Sequence, residues 1–184
     1  MIVKITNEQG YYDALFGIGL SYGITSDKNI NDLSNEDWIK LHGVAKKLYS
    51  KQGGHNKFLE SMQVWIDITA PRYWWAEADT YRHISKQSAS TIHTLTKKKL
   101  TQFDFAMAIP VTYLHYLNNI IEQKNLKRAK ALLPEGFLQR RMVKADYKSL
   151  QNMIHQRKNH ILEEWAIFIA SILSQINHPE FLEV

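Results

Sequence analysis

The chain has 184 residues, 45% of them hydrophobic and 22% charged, with 8 Gly and 4 Pro, a globular composition that excludes collagen-like, low-complexity and disordered readings. It has no cysteine, which excludes a disulfide scaffold, a zinc finger, an iron–sulfur site and any thiol nucleophile. The formal charge of +5 suits anionic partners such as phosphates without demanding nucleic acid.

A short strand is predicted over 2–6, where the residues are apolar and β-branched. Apolar residues from Tyr11 to Tyr22 predict a helix, weakened by Gly17, Gly19 and Gly23. Ser34, followed by Glu36 and Asp37, reads as a capped helix start. Trp38, Leu41, Ala45 and Leu48 then recur at helical spacing up to about Lys51, and Gly53-Gly54 stops the run. A short turn of helix follows over 55–61. Residues 62–69 alternate with period two, the pattern of a half-buried strand, and Pro71 stands where the next helix, about 72–82, begins.

The polar stretch 86–99 predicts a loop with one helical turn. Pro110 opens a helix to about Gln123, a shorter one covers 125–132, and Pro134-Glu135-Gly136 is a turn. Residues 137–145 read as a strand, Asp146 caps a helix over 147–158, and a last helix spans about 162–175. The sum is α+β: a helix-rich single domain, 1–184, around a small sheet. No apolar run approaches the roughly 18–20 residues of a membrane span, and the first residues lack a signal-peptide pattern. The expectation is a cytoplasmic protein with no membrane or nucleic-acid partner.

Two stretches hold candidates for chemistry. Leu150, Met153, Ile154 and Arg157 fall at helical spacing, so Arg157 lies on the buried stripe of its helix. A buried guanidinium needs an anion or a planar acceptor. The spacing leaves open whether that is an internal carboxylate or a ligand at the base of a pocket. The second stretch is 81–90, where Arg82, His83, Ser85, Lys86, Gln87, Ser88 and Ser90 follow a helix end. Hydroxyls and cations of this kind bind phosphates, or form a polar surface loop. The eight histidines show no ligand spacing, so no metal site is expected. Trp74 and Trp75 are adjacent on a predicted helix and cannot both face one pocket.

These stretches, in this order, resemble the flavin-dependent thymidylate synthases. That family carries the signature RHRxxSxNExSxRY, and a gapless overlay on 80–93 keeps Arg82, Ser85 and Ser90. Gln87 stands for the Asn and Ser88 for the Glu. Thr80 and Tyr81 stand for the first Arg and the His, and Ile92 and His93 for the closing Arg-Tyr. Upstream, His55 and Glu60 hold the spacing of a His-x-x-x-Phe-Glu motif, with Leu59 for the Phe, and a strand ends at Ala70-Pro71. Downstream, Lys130 to Pro134, then Asp146, Lys148-Ser149-Leu150, Asn152 and Arg157 follow a second series of family positions. The two regions cover 54–95 and 129–157.

The resemblance implies a homotetramer with active sites at subunit interfaces. It implies FAD, dUMP, a reduced nicotinamide cofactor such as NADPH, and methylenetetrahydrofolate. Carried over position by position, Glu60, Arg82, Ser85, Gln87, Asp146 and Asn152 would lie near the flavin. Ser88, Ser90, Lys130 and Arg157 would hold the nucleotide, with Arg157 orienting the base. Thr80 and Tyr81 lack the charge with which the family helps to hold the flavin, Ser88 lacks a carboxylate, and Ile92 lacks a nucleotide-binding cation. The small size suggests a compact, phage-type branch. The alternative is a nucleotide-binding or interaction protein that kept this fold and lost the flavin chemistry.

Overall fold

A computed structural model describes residues 1–51 and 53–182. Four strands form one antiparallel sheet: β1 (Ile2–Gln9), β2 (Gln63–Pro71), β3 (Ser85–Ser88) and β4 (Leu138–Asp146), in the order β1-β2-β4-β3. The helices are α1 (Tyr11–Ser21), α2 (Asn35–Leu48), α3 (Arg72–Ala78), α4 (Thr91–Thr94), α5 (Val111–Glu122), α6 (Leu126–Ala131), α7 (Tyr147–Arg157) and α8 (Glu163–Gln175). No helix among the described residues is long and apolar enough to cross a membrane.

Period-two alternation decides which face of the sheet is covered. Val64, Ile66, Ile68 and Ala70 of β2 and Val143 and Ala145 of β4 are buried beneath the helices. Trp74 and Trp75 complete this core, both 1% exposed. Adjacent on α3, they were expected not to share a pocket, but their rings meet edge to face at 4.9 Å and both line one small apolar void in the core, because aromatic side chains reach well beyond the backbone spacing. Trp74 packs on Trp165 and Phe168 of α8, at ring distances of 4.8 and 5.5 Å. The indole N–H of Trp75 donates to the carbonyl of Gln139 at 2.8 Å. The opposite face of β2, β4 and β3 carries Gln63, Trp65, Asp67, Thr69, Met142, Lys144, Ser85 and Gln87, none of them fully buried.

The segment between β3 and β4 builds a second apolar cluster of its own. Leu95, Leu100, Phe105, Leu114, Leu117, Ile120, Ile121, Ala129 and Leu133 pack together there, and a Phe105–Phe137 bridge joins them to the start of β4. At the other edge of the sheet, the side-chain amide of Gln175 accepts from the Ile5 N–H at 3.0 Å and donates to the Val3 carbonyl at 3.1 Å. It thereby blunts part of an exposed strand edge.

Three elements differ from expectation, the first being β1, which runs past its apolar stretch 2–6 to Gln9 because β2 continues to pair with it there. Helix α3 stops at Ala78, where a helix to about 82 is predicted. The Thr80 hydroxyl donates to the Glu77 carbonyl at 2.7 Å, taking an acceptor the helix would have used, and the chain turns back toward the sheet. The predicted loop over 86–99 begins with strand β3 and keeps its helical turn as α4. β3 has no apolar period to read. Its pairing comes from the free edge of β4, with Ser85 opposite Lys144 and Ser88 opposite Arg141.

Candidate functional site

The two sequence regions of interest meet in the sheet. β2 and the segment before it belong to the first region, β4 and α7 to the second, and β2 and β3 pair on either side of β4. Residues far apart in sequence are therefore neighbours: Gln63 faces Asp146 and Gln87 faces Met142.

Alternation then sorts the candidate residues by face. Ser85 and Gln87 sit on the uncovered face, opposite Lys144 and Met142. Asp146 has the same parity at the end of β4. Its carboxylate accepts from the Ser149 N–H at 2.7 Å and caps α7, so one of its oxygens is committed to the helix. Glu60, on the turn before β2, accepts from Lys148 Nζ of α7 at 2.7 Å. That hydrogen bond holds its carboxyl below the usual carboxylate range, against the opposing effect of burial. Lys57 and His83 add to the lowering. Arg82 and Asn152 are exposed.

Glu60 also borders a cleft of about 780 Å³. Its walls are α1, through Asp13, Gly17 and Ser21, and the 53–61 segment, through His55 and Phe58. The sequence singled out two of its lining residues, His55 and Glu60, but not the wall that α1 supplies. Its signal is the run of glycines: Gly17, Gly53 and Gly54 all have open space where a side chain would begin.

A second, smaller hollow of about 260 Å³ lies at the far end of β4. It is lined by Arg72, Thr91, Lys130, Leu133, Gln139 and Arg141, so it gathers α3, α4, α6 and β4. Lys130 is the nucleotide-assigned cation; Arg72 and Arg141 are cations that sequence reasoning missed. Arg141 is on the same side of the β3–β4 ladder as Ser88, which it faces in register. Ser90 flanks α4, where its carbonyl accepts from the Thr94 hydroxyl at 2.7 Å.

Arg157 lies elsewhere. Its side chain is 21% exposed and its Nη1 donates to Glu77 of α3 at 3.2 Å. Its Nε donates to the Tyr81 hydroxyl at 3.0 Å, and its guanidinium lies 5.0 Å from the Trp165 ring centre. The same Glu77 oxygen accepts from the Trp165 indole at 2.9 Å. The planar and anionic partners that a half-buried guanidinium needs are thus supplied by the chain itself. Tyr81, at the signature position of a His, is one of them. Among the described residues no group of three or more His, Cys, Asp or Glu is arranged to hold a metal ion.

The sequence matches no family profile and no curated protein. Its fold does match solved structures. The flavin-dependent thymidylate synthase ThyX from Helicobacter pylori, solved with FAD and dUMP, superposes with a TM-score of 0.83 at 18% identity. The match covers 100% of this chain and 98% of that one. A second structure of the same enzyme with FAD and dUMP gives a TM-score of 0.77. The UMP/dUMP methylase PolB from Streptomyces cacaoi, bound with 5-Br dUMP, gives 0.70 at 12% identity, covering 94% of this chain and 88% of its own.

Proposed function

From the fold it shares with solved flavin-dependent thymidylate synthases, we propose that this chain binds a pyrimidine deoxynucleotide such as dUMP and transfers a one-carbon unit to it with the help of FAD. The observation that carries the reading is the meeting of the two signature-bearing regions across β2, β4 and β3. The neighbours that share this fold were solved with FAD and dUMP or with a brominated dUMP.

The donor set on the uncovered face suits a flavin nucleotide. Ser85 and Gln87 offer neutral donors and acceptors and Lys144 offers positive charge on that face, and exposed Arg82, before β3, and Asn152, on α7, would add to them. Glu60 and Asp146 would position Lys148 and the start of α7 beside it. FAD, when bound, supplies the reducing equivalents for the transfer. On this reading Ser88, Ser90 and Lys130 hold the nucleotide, and NADPH and methylenetetrahydrofolate are the reductant and the carbon donor. The uncovered sheet face leaves room for a second chain, in keeping with a homotetramer whose sites are shared between subunits.

The test is release of tritium from the 5-position of labelled dUMP. It is expected to require FAD, NADPH and methylenetetrahydrofolate together. A protein that binds dUMP but releases no tritium under any combination overturns the enzymatic reading.

That outcome would favour a nucleotide-binding protein on the same scaffold, and one observation speaks for it. Arg157, the base-orienting residue on the first reading, is engaged by Glu77, Tyr81 and Trp165.

A further inference from the structure

We propose that Arg141, assisted by Arg72, completes a phosphate-monoester site with Lys130, supplying the cation that Ile92 does not. The inference rests on the nucleotide reading above and names residues outside every motif on which that reading was built.

Ile92 is 55% exposed and brings no charge. Arg141 is the opposite case. Its side chain is only 14% exposed, and it lies over Trp75 at 4.3 Å from the ring centre. Its Nη1 donates to both oxygens of Asp79, at 2.9 and 3.1 Å, and its Nε and Nη2 donate to Gln139 Oε1 at 3.3 and 2.9 Å. The three nitrogens make four contacts in all, which leaves at least one N–H of the fork to donate. A guanidinium held this way is already ordered, so little side-chain entropy is lost when an anion arrives.

Charge decides the ligand class. Three cations, Arg72, Lys130 and Arg141, line the hollow; behind them Glu135 pairs with Arg72, and Asp79 is shared by Arg141 and Lys86, which brings a fourth cation into the network. Four cations against two carboxylates leave a formal charge of +2, which matches a phosphate monoester of about −1.5 to −2 at neutral pH. A single carboxylate ligand would leave the site overcharged. Lys130 makes no ion pair among the described residues, and Thr91, a hydroxyl-bearing residue, lines the same hollow. Arg72 is fixed at its rim by a hydrogen bond to the Leu133 carbonyl at 3.1 Å and by Glu135 at 3.3 Å. At about 260 Å³ the hollow has room for a phosphate and part of its sugar, leaving a base outside.

The experiment is calorimetric titration of the whole protein with dUMP, deoxyuridine and inorganic phosphate, for the wild type, Arg141→Gln, Arg72→Gln and Lys130→Gln. The wild type is expected to prefer dUMP strongly over deoxyuridine. Arg141→Gln and Lys130→Gln should each weaken dUMP about ten- to a hundredfold while leaving deoxyuridine unchanged. A merely structural loss would weaken both ligands alike, and Lys130→Gln, at an exposed site, guards against misfolding of the Arg141 variant. If dUMP binds the wild type and the Arg141 and Arg72 variants equally well, this inference falls and the nucleotide reading stands. If inorganic phosphate binds at this site but dUMP does not, the nucleotide reading falls and the phosphate site stands. If neither binds, both fall.

Discussion

Arg157 illustrates how much a single residue's spacing can say. Helical periodicity was enough to take its side chain off the solvated face and to require a partner for it. It could not name the partner, because Glu77, Tyr81 and Trp165 come from other elements, as many as 80 positions away. Arg157→Ala should cost about 1–3 kcal/mol of stability, since it strips a half-buried carboxylate of its cation. Urea unfolding of the variant checks this. Unchanged stability with weakened dUMP binding would place Arg157 on the ligand instead. Titration gives a second residue-scale expectation. Burial, assisted by Glu180 for Tyr11 and by Glu164 for Tyr73, pushes both phenols from about 10 up to about 12. A raised folded pKa stabilises the fold fully below pH 10. That contribution should fade as pH climbs from about 10 to about 12, seen as a falling urea midpoint over that window, and a flat midpoint would contradict it. At the acid end, hydrogen bonds from Lys28 and Ser34 lower the Asp37 carboxyl to about 2. Its contribution is present above about pH 4 and is lost as pH falls toward 2.

Elements with a local cause were legible, and those whose cause is tertiary were not. The start of α2 is local. The Ser34 hydroxyl accepts from the Asp37 N–H at 3.2 Å while the Asp37 carboxylate accepts from the Ser34 N–H at 3.0 Å. Ser34→Ala should therefore cost about 1 kcal/mol in thermal or urea unfolding. The cap of α7 by Asp146 and the alternation of β2 were readable for the same reason. β3 was not, because four polar residues become a strand only when the edge of β4 is already there to pair with them. The glycines of α1 show the same limit. In the sequence they only weaken a helix, whereas in the fold Gly19 lets α1 approach Thr25 and Leu41, where an added Cβ would lie 2.5–2.9 Å from their side chains. Gly10 is stricter still. Its φ is +88° and an added Cβ would lie 2.2 Å from the Ser61 carbonyl oxygen, a backbone atom that cannot step aside. Gly10→Ala should cost about 2–3 kcal/mol, measurable by urea unfolding.

For the whole molecule, the sequence carried the fold further than it carried the site. Two regions in register, neither convincing alone, agreed with a fold that spans the full chain at a TM-score of 0.83. The candidate residues did not gather into one pocket. They divided between the uncovered sheet face, the Lys130 hollow and the Arg157 ion pair, a division set by strand parity and by which helix covers which end. The cations that complete the Lys130 hollow were invisible because Arg72 and Arg141 belong to no motif and meet Lys130 only through folding. An uncovered sheet face with Trp65 and Met142 on it also bears on assembly. If subunits share the site, light scattering should give a mass several times 21.5 kDa, and Met142→Lys should lower it. The most direct test of the central claim is the spectrum of FAD titrated with this protein, with and without dUMP. The account predicts a perturbed flavin absorbance and quenched fluorescence, and a further change when dUMP is added. A flavin spectrum identical to that of free FAD at every protein concentration, with dUMP present, would contradict it.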